Sequence, residues 1–306
     1  MAREMMLTLC PRVFPSDHGP CFLFLSECSS PEVVPVTLSL TPASRHRSVR
    51  ATLWNAWKQR RVWWFTATAR TKARFARTLF GSFWLGLSNL FSIAVLAVVY
   101  GTVFKVQDFN TYVVYLGLGL VVWNSINSAV ASAPNLFEHN QSHLHNTNLH
   151  PIFYTLEEWA FQLQTFVQSF LLVLLVLSLY QSNLIANFLL YGWLPLLNVF
   201  LFLYWLPVLV CVFGARYRDL YQLVPIVLQL VFLLSPILYK KDSLGPLAWA
   251  ADFNPFYRVL GAMRHSLIHG AVQWHLGLLM LLINVVGVWV AVSLLNKERP
   301  NLPFLV

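Results

Sequence analysis

The amino-acid sequence predicts an all-α membrane protein of six transmembrane helices, and three observations lead there. First, 57% of the 306 residues are hydrophobic and only 11% are charged, against about 25% charged in a soluble domain. A single soluble core cannot hide that much apolar surface, whereas lipid can. Second, the apolar residues gather in runs of about twenty, the length at which a helix crosses the hydrocarbon core. Third, the net charge of +9 is concentrated: residues 45–78 hold ten Lys or Arg and no acid, just ahead of the first long apolar run. Lys and Arg collect on cytoplasmic flanks, so this block reads as an orientation signal. A basic block also suits nucleic acid, but a membrane span abuts this one directly, which argues against nucleic-acid binding.

Taken in order, residues 1–49 are rich in proline and serine, show no helical or strand period and are expected to be disordered. The apolar patch Phe22–Leu25 is too short for a signal-peptide core, and Glu27 before Cys28 argues against lipoprotein processing. Residues 50–77 form a basic helix expected to lie on the membrane surface. Trp54, Trp57, Trp64, Phe65 and Phe75 fall on one side of it, and Arg70, Arg74 and Arg77 on the other. Spans are expected at about 79–104 and 109–133, joined by a short outer turn. Polar residues 135–151 then return the chain to the first side. Glu157 and Glu158 precede a third span at 161–180, and Gln181-Ser182-Asn183 makes the next turn. A fourth span, 188–213, carries Pro195 and Pro207, which kink membrane helices but are tolerated there.

The charged knot Arg216, Arg218 and Asp219 precedes a fifth span, 220–239, which ends in a break at Ser235-Pro236. Residues 240–274 alternate apolar and charged groups and suit short re-entrant helices at the outer surface. The sixth span, 276–295, is followed by Lys297, Glu298 and Arg299. Six crossings put both termini on one side. With that side cytosolic, the inner segments hold 16 Lys or Arg and the outer ones five, at 105, 240, 241, 258 and 264. No internal repeat is visible, so any two-fold symmetry has to come from dimerisation. The four cysteines show no CxxC spacing and are expected as free thiols.

No GxxxxGK(S/T) phosphate loop, GxSxG or HExxH occurs. If ATP drives the protein, another subunit hydrolyses it, and ATP with its magnesium belongs to that partner. No catalytic, cofactor-binding or metal residue is assigned. His139, His143, His145 and His150 allow two readings, imidazole ligands for a metal or a polar loop that contains histidines. Arg216, Arg218 and Asp219 either set the depth of a span by snorkelling or meet a phosphate-bearing molecule at the cytosolic mouth. Trp84, Tyr100, Tyr112, Tyr115, Trp123, Tyr221 and Phe232 either pack at interfaces or line a path on which sugar rings stack.

A resemblance follows from the order of several short motifs. Arg216-Tyr217-Arg218-Asp219, then Pro225, then Ser235-Pro236-Ile237-x-Tyr239 resembles the penultimate span of bacterial ATP-binding-cassette permeases that export O-antigen, capsule or teichoic-acid chains. Arg74-Phe75-x-Arg77-Thr78-x-x-Gly81-x-x-Trp84 followed by Asn89 resembles that family's first-span motif, with Asn89-Leu90 where the family usually has Asn-Pro. The resemblance covers roughly residues 50–300. It leaves the first residues as an extension, either disordered or the product of a mis-assigned translation start.

The resemblance implies a type-2 exporter permease: a homodimer of six-span subunits with two separate ATPase subunits, moving a lipid-linked polysaccharide across the bacterial inner membrane. It implies an ATPase-coupling role for Asn135 to His150, including Glu138, His139, His143 and His145. It places Arg74 and Arg77 with Arg216, Arg218 and Asp219 at the cytosolic mouth. It also implies an outer gate from Ser235, Pro236, Asn254, Pro255 and Arg264. Two other readings stand beside it: a related permease for a drug, antibiotic or simple lipid, and a membrane-embedded transferase using acid–base side chains.

Overall fold

The computed structural model describes residues 48–305 apart from 82, 104, 147, 148, 240, 242–244, 246 and 247. The expectation of disorder in the first residues lies outside that range. The described residues form helices and connecting turns without a strand. Five helices are long and apolar enough to cross a membrane: α3 (Phe83–Val103), α4 (Phe109–Ser132), α7 (Ile152–Leu177), α9 (Trp193–Arg216) and α13 (Trp274–Glu298). A sixth apolar helix, α10 (Leu220–Leu234), has only 15 residues. The remaining helices are α1 (Val49–Lys58), α2 (Arg60–Arg74), α5 (Leu136–His139), α6 (Gln141–Asn146), α8 (Leu184–Tyr191), α11 (Ala248–Phe253), α12 (Pro255–His269) and α14 (Leu302–Leu305).

α4 is the central post, packed by α3, α7, α9, α10 and α12. Its run from Leu116 to Trp123 is buried throughout, as befits a helix apolar on all sides. α3 and α13 are peripheral. α3 buries only a thin stripe, Gly86, Ile93 and Ala97, and leaves the rest of its apolar surface outward. Its glycine lets it approach α7 closely, since a Cβ on Gly86 would come within 2.8 Å of Leu172.

Asparagines knit the spans together. Asn284 of α13 donates to the Asn198 carboxamide oxygen of α9 at 2.9 Å and accepts from Trp205 Nε1 at 2.9 Å. Asn124 donates to Asn89 at 2.8 Å, and Asn89 donates to Ser169 at 2.6 Å, tying α4, α3 and α7. In lipid such bonds are worth roughly 0.6–2 kcal/mol each, because an unpaired amide has no water to turn to.

Several expected boundaries move. The surface helix expected over 50–77 is two helices that meet at Gln59 and end at Arg74. Its protein-facing stripe is Thr52, Ala56, Trp63, Ala67 and Thr71, while Trp54, Trp57, Trp64 and Phe65 turn outward. Small residues allow α2 to lie against α7, and Trp63 Nε1 donates to the Ala56 carbonyl across the break at 3.0 Å.

The third span begins at Ile152 rather than 161, because its acids are accommodated within the helix. Glu158 takes an ion pair from Arg70 at 2.6 Å and a hydrogen bond from Gln162 at 2.8 Å. The fourth span starts at Trp193 after a break at Gly192, so Pro195 sits in its first turn, where no intrahelical N–H is lost. Pro207 alone stands inside α9. The polar segment 135–151 is folded into α5 and α6, anchored by the fully buried Phe137.

Candidate functional site

The fold sorts the charged segments into two groups at opposite ends of the long helices. At one end lie α1, α2, α5, the start of α7, the ends of α9 and α13, and the start of α10. Thr52 there accepts from Asn296, and Arg216 pairs with Glu298 at 3.8 Å. At the other end lie the turn after α7, α8, α12 and the segment after α10, joined by bonds from Gln181 to the Ile268 carbonyl and from Asn187 to the Leu267 carbonyl.

The most constructed site is at this second end, where α10 stops at Leu234 and the chain runs on without helix. Ser235 is extended, and Pro236 has no N–H with which to continue the helix. The freed carbonyls must find donors, and each does. The single Tyr115 hydroxyl proton is shared between the Pro236 and Tyr239 carbonyls, at 3.0 and 3.3 Å from Oη, and Tyr112 Oη donates to that of Leu238 at 2.8 Å. Arg264 supplies the rest, with Nη1 to Pro236 and Nη2 to Ile237, both at 2.9 Å. Four consecutive carbonyls, Pro236 to Tyr239, are thus paired by side chains from α4 and α12.

Arg264 is only 3% exposed, and its guanidinium lies 3.8 Å from the centre of the Tyr115 ring. No carboxylate is among its partners in the described residues, so carbonyl dipoles and the ring face stabilise the charge. Room for it comes from Gly119, where a Cβ would overlap the guanidinium. Asn254 completes the arrangement. Its side chain caps α12 by accepting from Phe256 N at 2.9 Å and donates to Ser235 Oγ at 2.7 Å. Pro255 takes the first helical position, which suits its missing N–H. α12 ends at Gly270, whose φ of +63° favours glycine.

The residues expected at an outer gate therefore meet at one place: Ser235 bonds Asn254, and Pro236 bonds Arg264. Tyr112 and Tyr115, expected on a pore wall, belong to the same lock and spend their hydroxyls on backbone. The other aromatics scatter. Trp123 is buried and packs on Phe232 and Phe256, with ring centres 5.5 and 5.8 Å apart. Trp84 is half exposed on the outer surface of α3, stacked with Phe80, and Tyr100 is partly buried on the same helix. These rings do not form one continuous wall within the chain.

At the first end, Tyr221 lies beside Glu138 and Arg218, which joins α5 to the charged start of α10. Arg218 and Asp219 are exposed in the α9–α10 turn, and Arg216 reaches Glu298 rather than Asp219. Arg74 lies over Phe161 and Phe75, and Arg77 is exposed beyond the end of α2. No hydrogen bond or ion pair joins these two arginines to Arg216, Arg218 or Asp219. His139 Nδ1 donates to the Asn135 carbonyl at 2.8 Å, a local tie. His150 Nδ1 accepts from Ile152 N at 3.2 Å at the start of α7. The side chains of His143 and His145 lie outside the described residues. Among the described residues, no three His, Cys, Asp or Glu side chains gather as metal ligands would.

Sequence reasoning missed Gly119, the Arg70–Glu158 pair and the Asn198–Asn284 bond. The asparagines carried a readable signal, since an amide inside an apolar run has to find a partner. Gly119 carried none, because its role depends on a side chain some 145 residues away. No curated protein matches the chain. A family model described as ABC-2 type transporter matches residues 63–268, which take in all of α3 to α11 and nearly all of α12. With its bundle of apolar spans, the chain belongs to the ABC-2 type transporter family, as a multi-pass membrane permease component.

Proposed function

We propose that this permease is one half of a homodimer that, with two separate ATPase subunits binding ATP and magnesium, exports a polysaccharide carried on a lipid anchor. In this reading α10 is the sixth crossing, both termini face the cytosol, and the membrane is the bacterial inner membrane. The observation that carries it is the junction of Glu138, Tyr221 and Arg218. It links the polar α5–α6 segment, where an ATPase would dock, to the arginines at the start of α10. A push on that segment would reach the helix whose far end is held by Arg264, Tyr112 and Tyr115. Arg216, Arg218 and Asp219 lie where a pyrophosphate-linked lipid would arrive, and guanidinium groups pair well with phosphate. Nucleotide binding would then bias the bundle between a closed and an open arrangement.

The test combines two measurements. The purified chain mixed with the ATPase encoded beside it is expected to hydrolyse ATP at a rate that depends on both partners and falls when Glu138 and Tyr221 are replaced by Ala and Phe. Cells lacking the gene are expected to retain lipid-linked glycan on the cytosolic side. Normal glycan export combined with new drug sensitivity would instead support the small-molecule reading.

A further inference from the structure

The final turns of α12 carry two histidines, His265 and His269, that neither the lock nor the transport reading uses. Residues four apart share one face of a helix, and here the two ring centres stand 5.0 Å apart. Two imidazoles on one tetrahedral ion, with metal–nitrogen bonds of about 2.0–2.1 Å, would hold their centres about 5 Å apart. The rings therefore already stand at the separation that chelation requires. A second observation concerns the proton. His265 Nδ1 lies 3.2 Å from the Ala271 carbonyl oxygen, which can only accept, so Nδ1 donates and the neutral ring keeps its lone pair on Nε2. An imidazole that ligates a metal characteristically spends its other N–H in this way, which fixes the tautomer and the orientation of the ring.

The carbonyl that orients His265 is itself held in place. Gly270, in the left-handed region at φ +63°, turns the chain out of α12, and a Cβ there would meet Asn187 Oδ1 at 2.8 Å. Asn187 in turn donates to the Leu267 carbonyl at 2.8 Å. Arg264, the cation next to His265 in sequence, points its guanidinium into the buried lock, and no other Lys or Arg lies between Val259 and Gly270. His269 is exposed and His265 partly so, which leaves the pair open to an ion from solution.

We propose that His265 and His269 form a two-histidine site for a divalent transition metal ion of the Zn2+ class, with water completing the coordination. Imidazole nitrogen suits Zn2+, Cu2+ and Ni2+, whereas Mg2+ and Ca2+ seek oxygen ligands. Among the described residues no third His, Cys, Asp or Glu joins the pair, so the site suits a reversibly bound ion. A bound ion would staple the end of α12 beside Arg264 and brace the helix that holds the lock. This inference does not depend on what the permease transports.

The test uses the full chain, free of any added histidine tag, in neutral detergent micelles titrated with Zn2+ or, as a control, Mg2+. Calorimetry is expected to show a Zn2+ site in the wild type that weakens about tenfold or more in H265A/H269A and survives in H139A/H143A. Diethyl pyrocarbonate labelling of the wild-type chain, read by peptide mass spectrometry, supplies a measurement that needs no variant. Zn2+ should protect His269 and leave the exposed His275 reactive. Equal affinity in the wild type and H265A/H269A, an equal response to Mg2+, or equal effects of Zn2+ on the labelling of His269 and His275 would overturn the proposal. Loss of the site in H139A/H143A would assign the ion to α5 and α6 instead and overturn it as well.

Discussion

The two ends of the helix bundle hold themselves together by opposite means. At the end near Ser235 a single buried cation and two tyrosine hydroxyls satisfy a stretch of non-helical backbone, one asparagine ties the Ser235 hydroxyl to the start of α12, and among the described residues no ion pair takes part. At the end near Arg216 charges are numerous and mostly exposed, and among the described residues the pairs Arg70–Glu158 and Arg216–Glu298 each join a half-exposed arginine to a better buried carboxylate. Arg70 is 48% exposed in its pair with Glu158, and Arg216 is 57% exposed in its pair with Glu298. A charged group buried with all its donors spent is strong and unforgiving, whereas a pair whose arginine is half exposed is weakened by solvent screening. The locked end is thus built to hold one geometry. The charged end can tolerate rearrangement, as the coupling role proposed above requires.

The comparison can be broken most directly at Arg264. Arg264→Ala should destabilise the bundle by roughly 3 kcal/mol or more, since two carbonyls lose charged donors. It should lower the melting temperature of the detergent-solubilised chain more than any other single change named here, and Lys, lacking the planar fork, should restore little of the loss. Gly119→Ala comes next, at about 1–3 kcal/mol, because the new methyl group meets the guanidinium. Made on top of R264A it should cost much less. Equal costs in both backgrounds would mean that the overlap is relieved without moving Arg264.

Asn284→Leu should cost about 1–2 kcal/mol by leaving Trp205 Nε1 and the Asn198 amide without their partner, again read from thermal unfolding. Glu158→Gln should cost about 1 kcal/mol, since one of the two donors on this buried carboxylate loses its acceptor while the half-exposed Arg70 can turn to solvent. A larger loss from E158Q than from R264A would reverse the contrast between the ends.

Much of this organisation could be read from residues alone. Uninterrupted apolar runs marked the crossings, and a Ser-Pro pair marked the end of α10, because proline cannot continue the hydrogen-bond ladder. Charge proved less reliable as a boundary marker. Glu157 and Glu158 suggested a late start for the third span, yet a partner 88 residues away in sequence absorbs Glu158 and lets the helix begin at Ile152. The surface helices show a related limit. The exposed aromatics dominated the amphipathic pattern, while the face that meets the protein sets one buried tryptophan, Trp63, among the small residues Thr52, Ala56, Ala67 and Thr71. Of the candidate site, Ser235 and Pro236 stood out as a break in an apolar run, whereas Asn254 and Arg264 entered only through the resemblance. That Tyr112 and Tyr115 join them required knowing which turn of α4 stands opposite the break.

The shortness of α10 has a consequence for the surrounding lipid. Fifteen residues span about 22 Å, well under a hydrocarbon thickness of about 30 Å. With α10 as the sixth crossing proposed above, the acyl chains along that face must either compress or meet the pinned segment that follows Ser235, whose carbonyls are already paired by side chains. A bilayer around this bundle would then be thinner beside α10 than beside the long helices α3 and α13, which carry more than twenty residues each.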